Sequence, residues 1–260
     1  MCGSALLVAM TPWDDAAARH LAEVVEALNN LGLIDLLHGQ VADTWRTNME
    51  RYEQSRLGDT PRAFGFLSAE NIQQRLVRLC SGPASTWYEL GVRVATPDNS
   101  LLIRACGVDI HVMKAPSSQP RTPDWDTAFT WSGESATRQR CARRNSEQYL
   151  SSAGAAPDGS LFALPEASPA KSDATRCRDA FLVWSGEVST GLTAGWLGLP
   201  CDGERPWLAV QRLWWDEAGG PNSLAEVQPA GPQPTDGFEA QPLPSAPVRL
   251  KPRRAQEGSS

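Results

Sequence analysis

The sequence predicts an α+β protein: N-terminal helices, then a mainly antiparallel sheet, then a disordered C-terminal tail. Three observations predict it. Up to about residue 80, apolar residues recur at the three-to-four spacing of amphipathic helices. From Trp87 the period shortens towards two, the signature of strands. After Trp215 no apolar period persists, and eight of the last forty-four residues are proline. Helices first and strands afterwards belong to a segregated α+β arrangement, not to alternating βα units.

The first helix is expected from Thr11 as N-cap, with Pro12 at the first helical position and Asp14 and Asp15 facing the positive helix end. Leu21, Val24, Val25, Leu28 and Leu31 form its apolar stripe, and Gly32 ends it in a left-handed conformation. A second helix is expected over about 41–56, with Val41, Trp45, Met49 and Tyr52 on one face, broken at Gly58-Asp59-Thr60-Pro61. Ser68 is read as the cap of a third, carrying Ile72, Leu76 and Leu79.

Strands follow at Trp87–Ala95, Leu101–Arg104 and Val108–Val112, with turns at Pro97–Ser100 and Gly107, giving an antiparallel meander. Residues 134–150 read as an Arg-rich helix, and 151–172 as a flexible insertion of Ala, Gly, Ser and Pro. Phe181–Trp184 and Trp207–Val210 are buried strands; the Gly-rich run between them, 191–200, reads as irregular. The expected organisation is one α+β domain over 1–216, with a helical part at 11–80 and a sheet-containing part at 86–216. A Pro-rich tail at 217–260 follows; it buries too little to offset its ordering entropy.

The composition narrows function by exclusion. A formal net charge of −6 argues against a generic nucleic-acid coat, which needs clustered Lys and Arg. The six cysteines, none within a C-x-x-C, signal neither a zinc knuckle nor a redox pair, and read as free thiols of a cytoplasmic protein. No secretory signal is legible, and no apolar run approaches the roughly 20 residues that span a bilayer. Nucleophile-elbow, Walker and dinucleotide-binding patterns are all absent, so no cofactor and no metal are assigned.

Two sets of residues remain. Asp98, Asp109, His111 and Lys114 lie on the meander, with Asp109 and His111 on the same side of their strand. Together they suggest a metal-dependent nuclease-like site, although the expected Glu-x-Lys is replaced by Asp109-Ile110-His111. The second set is a recognition surface: Trp184, Trp196 and Trp207 from an unusually Trp-rich end, with Arg140, Arg143 and Arg144 from the basic helix.

Arg51-Tyr52-Glu53-Gln54-Ser55-Arg56 with Arg62-Ala63-Phe64-Gly65-Phe66, and the segment from Phe181 through Trp215, resemble a group of actinobacterial proteins without an assigned role. Some members are encoded beside a helix-turn-helix protein bearing a metallopeptidase-like domain, in a toxin–antitoxin or mobile-element setting. The resemblance spans most of residues 11–216 and carries no active site, so no residue role follows from it. It implies a protein that binds a protein partner, as one member of a toxin–antitoxin or stress-response pair. The nuclease-like enzyme is the alternative.

Overall fold

Each helix starts where the local chemistry satisfies its free amides. The computed structural model describes residues 14–116, 121–131, 135–150 and 174–218. Helix α1 (Asp15–Asn30) is capped by the Asp14 carboxylate, which accepts from the Ala17 amide at 2.7 Å. Thr11 lies outside the described residues, as do the insertion at 151–172 and the tail beyond Ala218. Gly32, at φ 75°, turns the chain directly into α2 (Leu33–Met49). That helix begins eight residues before the expected 41, because Leu33, Ile34 and Leu37 extend the stripe of Val41 and Trp45. A single turn, α3 (Gln54–Leu57), follows.

Helix α4 (Pro61–Cys80) starts at Thr60, whose hydroxyl accepts from the Ala63 amide, with Pro61 in the first turn. Ser68 is therefore no cap. It is fully buried in mid-helix, where its hydroxyl accepts from the Asn48 side-chain amide at 3.0 Å. The first expected strand is also shorter than its pattern. Thr86–Glu89 forms a helical turn, α5, and only Arg93–Ala95 is strand β1.

Helices at the N-terminus are followed by a six-stranded, mostly antiparallel sheet in the order β1-β2-β3-β4-β5-β6. β2 (Leu102–Ala105) and β3 (Val108–Lys114) complete the meander across Cys106-Gly107, both at positive φ as a two-residue hairpin turn requires. β3 runs parallel to β4 (Asp179–Gly186), so the connection must cross over; α6 (Ala136–Leu150) lies in it. β5 (Thr193–Pro200) and β6 (Trp207–Trp215) then add antiparallel pairs.

The run 191–200, read as irregular, is thus mostly strand β5, buried at every position. Its glycines conceal the period, and the structure shows what they are for. A Cβ on Gly195 would fall 2.2 Å from the Trp214 ring, and one on Gly198 would fall 2.6 Å from Trp207. On β4, Gly186 gives the same clearance to Trp45, at 2.4 Å. Large rings lie flat on the sheet wherever the strand lacks a side chain.

Helices α1, α2 and α4 cover one face of the sheet, burying Leu21, Leu37, Trp45, Ile72 and Leu76 against Ile103, Leu182 and Trp184. The opposite face carries a smaller core of Met113, Phe129, Trp131, Phe181, Val183 and Trp207 beneath α6. No helix among the described residues is long and apolar enough to cross a membrane.

Candidate functional site

The pleat of β3 decides which candidate residues can meet. Ile110 packs towards the large helical core, whereas Met113 belongs to the core under α6. Asp109, His111 and Met113 therefore share one face, and Ile110, Val112 and Lys114 the other. Lys114 leans on Gly65 of α4, where an added Cβ would sit 2.9 Å from its Cε. Asp109 pairs with Arg104 at 3.1 Å. Asp98 accepts from the Thr137 hydroxyl and lies 3.9 Å from Arg140. The nuclease-like set does not converge in one cleft, because the sheet itself separates Lys114 from Asp109 and His111.

His111 instead meets residues from two other elements. Its Nε2 lies 3.2 Å from Cys141 Sγ on α6 and 3.5 Å from Asp179 Oδ1 on β4. The three donor atoms all lie within 4.8 Å of one another, and all three residues are buried. Register explains the convergence: Asp109 and Asp179 are parallel partners, so His111 and Asp179 stand two positions apart on one face. Arg144, one helical turn after Cys141, forks onto Asp179 with Nε at 2.9 Å from Oδ2 and Nη2 at 2.5 Å from Oδ1. Asn145 is fully buried beside them. Its amide donates to the carbonyls of Asp179 and Pro200, and its Oδ1 accepts from the Asp179 amide.

Electrostatics set the resting state. Burial, then the negative charge of Asp179, pushes the Cys141 thiol up to about 12. Burial alone would raise Asp179, but its bonds to His111 and Arg144 hold the carboxyl below its ordinary range. At neutral pH the cluster holds a protonated thiol and a carboxylate. This is no nucleophilic triad. A triad imidazole uses its two nitrogens on opposite partners, whereas here a single nitrogen faces both.

A second feature lies on the other side of β3. Between α4 and the sheet is a cleft of about 750 Å³, lined by Arg62, Phe66, Glu70, Lys114 and Arg138 among others. Burial lowers the pKa of the Lys114 amine. Phe66 stands at the cleft 75% exposed, and Leu67 next to it is 47% exposed.

The aromatic candidates are placed differently from expectation. Trp184, Trp196 and Trp207 are all buried, because the rings pack against each other and against glycine backbone. Trp196 stands edge-on to Trp125 and Trp215, and Trp207 to Trp131 and Phe129. Arg140 and Arg143 are exposed; Arg143 pairs with Glu147 and Arg144 with Asp179. The exposed apolar side chains among the described residues lie earlier, at Leu57, Phe66, Leu67, Leu79, Tyr88 and Leu90.

Comparison with protein-family models, with curated proteins and with solved structures returns no match. Of the cluster, sequence reading singled out His111 and Arg144 but passed over Cys141 and Asp179, which lie 30 and 68 residues beyond the histidine. No short spacing links them. The usable signal was local: Cys141, Arg144 and Asn145 share one face of a predicted helix, and Asp179 precedes the apolar run Ala180–Trp184.

Proposed function

We propose that this chain acts by binding a protein partner through the α4 side of the molecule. The observation that carries the reading is Phe66, 75% exposed beside a cleft that also presents Arg62, Lys114 and Arg138. An aromatic ring held out to solvent on a helix is a typical anchor of an interface hot spot, with cations close by to fix register. Three cations against the single carboxylate of Glu70 make the cleft locally basic in a chain of net charge −6. The complementary partner segment is therefore acidic and brings an apolar side chain to meet Phe66. The Trp-rich end contributes through the fold, by holding the sheet against which α4 packs. A pairing of the toxin–antitoxin or stress-response kind is compatible with such a surface, and the adjacent gene product is the first partner to test.

Co-expression with that product and size-exclusion chromatography provides the test. Co-elution is expected, and Phe66→Asp combined with Lys114→Glu should abolish it while leaving the far-UV circular dichroism unchanged. Independent elution at micromolar concentration, or co-elution that survives the double substitution, would overturn the reading.

A further inference from the structure

We propose that His111, Cys141 and Asp179 form a binding site for a divalent transition-metal ion, zinc foremost, with Arg144 as the outer clamp on the carboxylate. The geometry carries this. Each residue supplies one donor, from β3, α6 and β4 respectively, and the three donor atoms lie within 4.8 Å of one another. Sγ to Nε2 is 3.2 Å and Nε2 to Oδ1 is 3.5 Å. The corresponding edges of a tetrahedral zinc site are roughly 3.3–3.6 Å, given bonds of about 2.0–2.3 Å. Two of the three donor pairs thus stand close to ligand separation before any ion is considered, and the third lies within 4.8 Å.

The use of one imidazole nitrogen makes the second argument. Nε2 faces both Sγ and Oδ1, yet carries either one proton or one lone pair. Through Nε2 a hydrogen-bonded network makes only one of those contacts, and the carboxylate must then take the thiol and Arg144 as well. A cation at the common point satisfies all three at once, because thiolate, imidazole and carboxylate each turn a lone pair inward. The donor set also has the right softness. Thiolate with imidazole selects zinc and its neighbours over magnesium or calcium, which take oxygen.

Arg144 fits as an outer-shell residue. Asp179 Oδ1 faces the histidine and also accepts from Arg144 Nη2 at 2.5 Å, a bond the ion would have to share or replace, whereas Oδ2 accepts from Arg144 Nε at 2.9 Å. With Oδ1 on the ion, the Nε bond to Oδ2 can persist and hold the carboxylate in orientation. Binding proceeds by loss of the Cys141 thiol proton to solvent and formation of the sulfur–metal bond, with no change of oxidation state. Metal plus thiolate, carboxylate and guanidinium sum to one positive charge. The three protein ligands leave a fourth position for water or an anionic donor, the pattern of an open zinc site. The proposal stands independently of the α4 surface, which lies on the other side of the sheet.

The test uses the full chain purified without chelator, loaded with Co²⁺ and then titrated with Zn²⁺. One equivalent of Co²⁺ should give a thiolate-to-cobalt charge-transfer band in the near ultraviolet and the visible bands of a tetrahedral site. Zinc should displace both. Cys141→Ser should abolish the charge-transfer band, and His111→Gln should weaken binding at least tenfold. Arg144→Gln should weaken it by about 10–100-fold, as outer-shell changes do. Cys106→Ser, exposed in the turn between β2 and β3, should leave the spectrum unchanged. If a ligand variant fails to fold, Arg144→Gln still decides the question, since cobalt held by a thiolate elsewhere would bind that variant as tightly as the wild type. Cobalt bound without a charge-transfer band, or no bound equivalent at micromolar metal, overturns the site, as does a band that survives Cys141→Ser.

Discussion

The two faces of the sheet solve the same burial problem with different chemistry. The face under α1, α2 and α4 is almost wholly apolar, and its largest side chains lie flat on glycines: Trp45 over Gly186 and Trp214 over Gly195. The face under α6 is half aromatic and half polar. Phe129, Trp131, Phe181 and Trp207 fill one end, while His111, Cys141, Asp179 and Asn145 fill the other. Hydrophobic burial is non-directional and tolerates repacking. A buried polar cluster is directional and fails when one partner is lost. Stability is thus expected to rest on the first face, and chemistry on the second.

The contrast breaks most sharply at Gly195. Alanine there places a Cβ 2.2 Å from the six-membered ring of Trp214, itself 7% exposed and without room to move. The expected loss exceeds about 3 kcal/mol, read from urea or thermal unfolding. A Gly195→Ala protein of near wild-type stability would show that the Trp214 ring can leave its seat. Gly203, with nothing near its Cβ position, is the control and should tolerate alanine.

On the opposite face the comparable test is Asn145→Ala. The change removes no large apolar area, but leaves two carbonyls and one amide without their side-chain partner. A loss of about 2 kcal/mol is expected, since each buried group left unpaired costs about 1–3 kcal/mol and water recovers part of it. Asn145→Asp should be worse than alanine, because it keeps the acceptor and removes the donor beside two carbonyl oxygens. If it were milder, the assigned amide orientation would be wrong.

These two residues also mark what was legible in sequence. The helices were, because an amphipathic stripe such as Leu21, Val24 and Leu28 records the buried face of the helix directly. So was β4, whose run Phe181–Trp184 is apolar because both its faces are covered. β5 was not. Gly195 and Gly198 lower strand propensity locally, and their purpose appears only with the tryptophan from the neighbouring element above them. The same rings made Trp196 and Trp207 look available for recognition when each is walled in by other aromatics. The polar cluster was half legible: Asp109 and His111 do share a face, but the partners of His111 come from α6 and β4, which only tertiary pairing brings near. Lys114 was grouped with them by adjacency, and pleat parity sends it to the other side.

The helix-covered side can be probed with acid at Asp216, which meets His38 of α2 at 2.7 Å. Burial works to raise this carboxyl, yet the His38 bond and the amide and hydroxyl of Thr193 bring it below its ordinary 3.8. A carboxyl depressed in the folded state adds stability above its unfolded pKa and loses it as pH falls through the folded value. Unfolding monitored by tryptophan fluorescence should therefore show stability falling below about pH 4. Asp216→Asn should cost about 1.5 kcal/mol at pH 7 and flatten that fall. A variant with the same acid slope as the wild type would assign the slope to other carboxylates, such as Asp14, also depressed by its Tyr149 and Ala17 bonds against the opposing effect of burial.

The smallest expected effect on stability comes from the side chain given the largest role in binding. Phe66 contributes little to either face of the sheet: three-quarters of it is in water, while Phe64, two positions earlier, is buried against Trp45. Serine at 66 should shift stability by less than about 0.5 kcal/mol, as surface substitutions do. The same change at Phe64 removes a ring from the core and should cost about 3–5 kcal/mol. The pair separates folding from recognition within one turn of one helix. If Phe66→Ser destabilises the isolated chain as much as Phe64→Ser, then Phe66 is covered in solution and α4 is no docking surface. If it leaves unfolding untouched and removes the partner, exposure at that position exists for binding.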